Sequence, residues 1–408
     1  MCSRGFRACA VVAVTGLLSL RAAAEVQVNV RTSGAQANSA VAVNPRGGAV
    51  ALWSSYYSGS GRSNDILARW LDGTGRPVED EFQVNPVLAG NQTEPAVALD
   101  ANGRMTLAWQ GPGPDQEDIF LRLYSSGGSP IKSNVLANLR TTGRQLYPRV
   151  AAGNAGIFVV AWESREPTTN GERILVYARL FDASGLGLGG EILVDPDVYD
   201  GRYPDVAMDA RGNFAVTWMR DRSNHPIMVR LFDPNGVPRT GPVAVSTADV
   251  SSVTGPALAM TALGQFVLAW DGDPNRASDD DIYARLYAAN GTPRGMPFVV
   301  NTIRTGAQQW PQVAMNDANE FVIAWEHNSG DPYTATDIFA RRFAPEGRPR
   351  GGETRLNTYT PGRQRYVDVA MSADGSFFAT WESDGQDGSG YGVYAHVGPP
   401  IDPNEPAE

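Results

Sequence analysis

Seven residues, each fifteen positions before a recurring tryptophan, are the ones best suited to meeting a ligand. They are Asn38, Glu94, Tyr147, Tyr203, Gly255, Trp310 and Tyr366. Four of the seven are aromatic, and Arg144, Arg202, Gln308, Arg363 and Arg365 stand close to them in the chain. Aromatic rings with polar tips, set beside guanidinium groups, stack sugar rings or planar ligands. The chemistry expected of Tyr147, Tyr203, Trp310, Tyr366 and Glu94 is therefore binding, and no catalytic residue is assigned. The same rings could instead wedge between neighbouring repeats, since aromatics most often serve packing.

Carboxylates offer a second chemistry. The residue after the tryptophan is acidic in four units (Glu163, Asp271, Glu326, Glu382). A pair such as Glu163 and Glu326 could hydrolyse a glycosidic bond. Recurrence argues against it, because a catalytic acid is needed once and an acid repeated from unit to unit belongs to the scaffold. The three histidines (His225, His327, His396) fall in different units, so no His-based triad or metal site is visible. Asp271, Asp273, Asp279, Asp280 and Asp281 crowd one loop, and Asp384 and Asp387 another. Carboxylate oxygens on such loops suit Ca²⁺, yet neither loop has the spaced acidic pattern of a dedicated site. No cofactor is expected, with Ca²⁺ the one ion these loops would accept.

The elements that must carry these residues repeat. Tryptophan recurs at 53, 109, 162, 218, 270, 325 and 381, with gaps of 52 to 56 residues. Such a period indicates a repeat array. Each unit holds four short β-type runs separated by Gly, Asn, Asp and Pro, and no window shows helical periodicity. Six residues before each tryptophan stands Gly47, Gly103, Gly156, Gly212, Gly264, Asn319 or Gly375. These residue types tolerate the positive φ of a tight hairpin turn. Five of the residues fourteen before tryptophan are proline, which suits the first residue of a strand. The run ending in tryptophan is apolar on both faces and reads as a buried strand.

Four-stranded units with a buried second strand are propeller blades. The seventh unit lacks a fourth strand, and Val26-Gln27-Val28-Asn29 matches Phe82-Gln83-Val84-Asn85 of the first. The chain is therefore expected to be an all-β, seven-bladed β-propeller of four-stranded blades, its ring closed by the N-terminal strand. The recurring Arg of the third strand (Arg69, Arg122, Arg179, Arg230, Arg285, Arg341) is expected to be structural, paired to carboxylates or stacked on rings. Length varies mainly between the second and third strands, which makes that loop a candidate binding element.

Residues 1–24 read as a signal peptide: Arg4 and Arg7, an apolar stretch from Ala8 to Leu20, then Ala22-Ala23-Ala24 before Glu25. The domains are then a signal over 1–24, a propeller over 25–397 and a Pro-rich acidic tail over 398–408. Both cysteines (Cys2, Cys9) leave with the signal, so packing alone must hold the mature chain. Removal of Arg4, Arg7 and Arg21 takes the formal charge from -10 to -13. That balance excludes nucleic acid, whose phosphates demand cations. No apolar run is long enough for a membrane helix, and the chain is read as a monomer.

The segments Gly375-Ser376-Phe377-Phe378-Ala379-Thr380-Trp381 and Asp337-Ile338-Phe339-Ala340-Arg341-Arg342-Phe343 resemble β-propeller-like repeats of secreted bacterial proteins, some of them calcium-associated surface proteins. The resemblance spans residues 25–397 and implies architecture, not activity. The expectation is a secreted or periplasmic, non-catalytic module that binds a glycan or cell-surface polymer on its loop-rich face. One alternative is a scaffold for a protein partner. The other is an extracellular polysaccharide hydrolase or lyase, which a cluster of unpaired carboxylates in the channel mouth would favour.

Overall fold

The computed structural model describes residues 25–56, 63–86, 89–154, 156–196, 200–221, 225–245, 255–272, 280–330 and 336–401. The signal segment 1–24, most of the tail, Asp273 and Asp279, and much of the variable loops lie outside the described residues. Twenty-eight strands form seven four-stranded antiparallel sheets, with no helix among the described residues. The molecule is an all-β, seven-bladed β-propeller.

The first blade runs from its inner to its outer strand as β2 (Gln36–Val43), β3 (Ala49–Tyr56), β4 (Asn64–Leu71) and β5 (Phe82–Gln83). The inner strands of the other blades are β6 (Thr93–Leu99), β10 (Arg144–Ala152), β14 (Gly201–Met208), β18 (Ala257–Met260), β22 (Ala307–Met315) and β26 (Gln364–Met371). Each packs against the inner strands on either side, and β26 packs back onto β2. The ring closes around a central channel. The second strands are buried on both faces, and their tryptophans are the largest buried side chains. The hairpin before each second strand turns through the residue that the spacing singles out. Its φ runs from +64° at Asn319 to +105° at Gly47.

Closure follows the sequence match. β1 (Val26–Gln27) pairs antiparallel with β28 (Tyr391–Gly398), Val26 opposite Ala395 and Gln27 opposite Tyr394. Asn29 Oδ1 then accepts from Val393 N at 2.8 Å. Asn85, Asn138, Asn301 and Asn357 do the same for their own blades at 2.7 to 2.8 Å. The first mature strand is thus an ordinary fourth strand, and no sheet edge is left open at the seam.

Blades are tied to one another by side chains that reach across the seams. Arg69, Arg122, Arg179, Arg230 and Arg341 of the third strands donate to a backbone carbonyl of the preceding unit, as Arg179 Nη1 does to Ala137 O at 2.9 Å and Arg341 Nη1 to Val300 O at 3.0 Å. Where a ring stands two residues on, the Arg lies over it, for example Phe181 at 5.1 Å and Phe232 at 5.4 Å. The stacking agrees with expectation. The charged partners do not, because a strand end offers free carbonyls where no carboxylate stands.

A glutamate ahead of the fourth strand makes a second tie. Glu191 accepts from Leu139 N at 2.6 Å and Arg140 N at 3.0 Å; Glu353 accepts from Thr302 N and Ile303 N at 2.8 and 2.9 Å. Glu25 fills the same place at the seam, accepting from Thr358 N at 2.7 Å and Gln386 Nε2 at 2.9 Å. Glu25→Ala is therefore expected to cost about 1–2 kcal/mol in urea unfolding, the usual loss when bonded donors lose a charged acceptor. Glu79→Ala, on an exposed side chain, should stay within about 0.5 kcal/mol. Equal, small effects for the two variants would show that Glu25 contributes nothing to closure.

Candidate functional site

The seven residues singled out by spacing come together at the channel mouth. Asn38, Glu94, Tyr147, Tyr203, Gly255, Trp310 and Tyr366 all line one central cavity of about 500 Å³. Their backbone explains the placement. Six of the seven have φ between +50° and +55°. Each of those six sits in a bulge where the pairing of first and second strands slips by one residue, as between Leu146 and Arg149. The proline that follows lies in the bulge too, and not at the first position of the strand. A bulge of this kind re-aims a side chain, and non-glycine residues in this region carry strain that clusters at functional sites.

The twist also frees the backbone N–H of the bulged residue, which needs an acceptor once buried. The residue after the tryptophan of the preceding blade supplies it. Gln110 Oε1 accepts from Tyr147 N at 2.9 Å, Glu163 Oε2 from Tyr203 N at 3.3 Å and Glu326 Oε1 from Tyr366 N at 2.6 Å. Glu382 accepts from Asn38 N across the seam. The recurring acids are thus staples between blades, as recurrence indicates. Glu163 is moreover ion-paired with Arg165 at 2.7 Å. Glu94 is exceptional: the post-tryptophan residue before it is Ser54, whose hydroxyl is buried without a partner.

Around the mouth the rings run in one arc. Tyr147 and Tyr203 have centroids 5.6 Å apart, Tyr203 and Trp310 6.0 Å, Trp310 and Tyr366 6.2 Å. Trp310 leans across the place of Gly255, where an added Cβ would lie 3.9 Å from the indole. The arc lines the cavity, and its rings also meet one another across blades. Opposite it stand Asn38 and Glu94, joined by a 3.0 Å bond from Asn38 Nδ2 to Glu94 Oε1.

Below the rings the inner strands carry charges that the spacing argument passes over. Two residues past the bulge stand Arg149, Asp205 and Asp368, all lining the cavity. Asp205 accepts from Val206 N at 2.8 Å and from Leu258 N of the next blade at 2.7 Å. Asp368 accepts from Val369 N at 2.9 Å and from Val41 N at 2.8 Å. The signal was available: these are charged residues inside otherwise apolar strands.

Burial controls the protonation of the whole mouth. Loss of water pushes Glu94 and Asp205 above the usual carboxylate range, with the Arg149 guanidinium opposing both. Burial lifts Asp368 to about 6 against two backbone N–H bonds. It lifts Glu382 to about 7, opposed by Asn38 N and Arg365, and Glu326 to about 8, opposed by Tyr366 N. The Tyr147 and Tyr366 hydroxyls are held in their neutral form by the same burial. Carboxyls that keep a proton near neutrality are equipped to give one up.

The described acids of the first acidic loop bond within the protein. Asp280 accepts from Gln309 Nε2 at 2.7 Å and Asp281 from Asn301 Nδ2 at 2.6 Å. Among the described residues no three His, Cys, Asp or Glu side chains converge as a metal-binding group. No helix there is long and apolar enough to cross a membrane.

No family model matches the sequence, and no curated protein matches it. Solved structures share the ring over most of both chains. A protein of unknown function from Dyadobacter fermentans is 11% identical, with 92% of this chain and 98% of that one covered and a TM-score of 0.55. The polysaccharide lyase Uly1 is 12% identical over 91% of this chain and 90% of its own, with a TM-score of 0.54. An ulvan lyase bound to -[GlcA(1-4)Rha3S]- is 10% identical over 91% and 96%, with a TM-score of 0.55. At such identities the likeness establishes the fold.

The expectation of a non-catalytic binding module is corrected. The neighbours whose names state an activity cleave polysaccharides. Three carboxyls, Glu94, Asp205 and Asp368, line the mouth beside the rings. Each is hydrogen-bonded, so they are not the unpaired cluster expected to favour an enzyme.

Proposed function

We propose that the protein cleaves glycosidic bonds of a polysaccharide held at the aromatic mouth of the central channel. Glu94 carries this reading. Among the seven ring residues it alone is a carboxylic acid, and it is half-buried, so it is both desolvated and reachable. It lies outside the stapling pattern that explains Glu163, Glu326 and Glu382. Burial raises its pKa, as general acid catalysis near neutral pH requires.

In this reading Glu94 donates its proton to the leaving glycosidic oxygen. Asp205 or Asp368, on the cavity wall with both oxygens accepting from backbone N–H groups, takes the proton of the attacking water when ionised. Tyr147, Tyr203, Trp310 and Tyr366 hold the sugar chain. Hydrolysis is favoured over elimination by the charges. Elimination next to a sugar carboxylate needs cations to neutralise it, whereas Arg149 is the one guanidinium among three carboxyls lining the cavity. The reading of segment 1–24 as a signal supports a secreted or periplasmic location for this activity.

The test is to incubate the mature chain with a panel of polysaccharides and follow both reducing ends and the ultraviolet absorbance of unsaturated sugars. New reducing ends without that absorbance are the expected result. Unsaturated products would replace hydrolysis by elimination, and no cleavage of any polymer would overturn the reading.

A further inference from the structure

We infer that the aromatic arc is a cage for an ammonium group, so that the preferred substrate is a polysaccharide of free amino sugars. This rests on the proposed cleavage of a glycan at the same mouth, and it adds the chemical class of the sugar.

Three observations carry it. The first is the mutual tilt of the rings. A sugar platform presents an open, flat face, and neighbouring rings that share a platform lie nearly coplanar. Here successive planes meet at 56° between Tyr147 and Tyr203, 83° between Tyr203 and Trp310, and 60° between Trp310 and Tyr366. Such rings are walls around a point, the arrangement that surrounds an alkylammonium with electron-rich faces. The second is charge. Among the described residues the ionisable carboxyl and guanidinium side chains lining the cavity are Glu94, Asp205 and Asp368 against Arg149, in a chain of formal charge -10; with Glu94 protonated, the two ionised aspartates still outnumber the one guanidinium. A cation is drawn to that mouth and a polyanion is repelled. The third is that one wall already takes a cation: the Arg365 guanidinium lies 4.9 Å from the centroid of Tyr366.

The experiment is a calorimetric titration of the full mature chain with glucosamine oligomers and with N-acetylglucosamine oligomers of equal length. Tetramethylammonium chloride serves as competitor and sodium chloride of equal ionic strength as control. The amine oligomer is expected to bind at least about tenfold more tightly. Tetramethylammonium should displace it where sodium does not, and Trp310→Leu should abolish the difference between the two oligomers. Equal binding of both oligomers, or no displacement by tetramethylammonium, overturns the cage. Circular dichroism of Trp310→Leu confirms that the variant is folded, and the competition in the unmodified chain stands independently of it. Cleavage is read separately on the same oligomers. A cage that binds without cutting would sink the proposed activity alone, and cutting of the acetylated oligomer in preference would sink the cage alone.

Discussion

Glu94→Gln is expected to reduce polysaccharide cleavage about 100- to 10,000-fold, the range typical of a lost general acid, while the protein stays folded. The amide is isosteric and still offers an oxygen to Asn38 Nδ2, so the contact of 3.0 Å survives the change. Thermal unfolding should therefore move little. The pH profile gives a further sign. A general acid works when protonated, and burial has raised Glu94 above the ordinary carboxylate. Activity should fall as pH rises through that raised pKa, and fall again at acidic pH as the Asp205 or Asp368 base takes up its proton, which gives a bell-shaped profile. Arg149 opposes the shift, so Arg149→Met should move the basic limb to higher pH. This is the behaviour of a positioning residue, and a merely structural arginine would leave the limb in place. Retention of activity within a few-fold in Glu94→Gln would remove Glu94 from the chemistry.

Much of this site was legible in the sequence, and the reasons differ from residue to residue. The ring position could be found because a turn glycine six residues before tryptophan marks the end of the first strand and a proline fourteen before it recurs beside the ring residue. The propeller and its seam were legible from such recurrence too, as Val26-Gln27-Val28-Asn29 matches Phe82-Gln83-Val84-Asn85 at three of four residues. The bulge was not legible. Tyrosine and tryptophan at φ near +50° have no compositional mark, and the proline after them argues for an extended strand. The partner of the tryptophans was available and passed over: glutamine recurs seventeen residues earlier, and Gln92, Gln145 and Gln308 accept from the indole N–H at 2.9 to 3.0 Å. Where Gly201 replaces that glutamine, Asp195 takes over and binds both Trp218 and Arg220. Asp205 and Asp368 escaped for a third reason. Their role depends on N–H groups of the next blade, more than thirty residues away or across the seam, and spacing within a single unit does not reveal such partners.

The staples themselves carry the second large effect: stability is expected to fall as pH rises from about 4.5 to about 8, and Glu326→Gln should remove much of the fall. Glu326 is buried and its pKa climbs from 4.5 to about 8 on folding; Glu382 climbs to about 7. A carboxyl raised in the native state binds more protons folded than unfolded, so stability decreases with pH throughout that window. Below about 4.5 both states are protonated and the burden vanishes. Above about 8 it is fully present, on the order of a few kcal/mol for Glu326 alone. Glutamine keeps the acceptor that Tyr366 N needs and cannot ionise. The chain already uses this solution at another junction, where Gln110 accepts from Tyr147 N at 2.9 Å. Glu326→Gln should thus match the parent at pH 5 and exceed it at pH 9 by several degrees in Tm. A variant that tracks the parent at pH 9, or a parent whose Tm climbs from pH 5 to 9, would mean that Glu326 is charged in the folded ring. The same comparison separates scaffold from chemistry, because Glu326→Gln should leave the basic limb of activity assigned to Glu94 where it is.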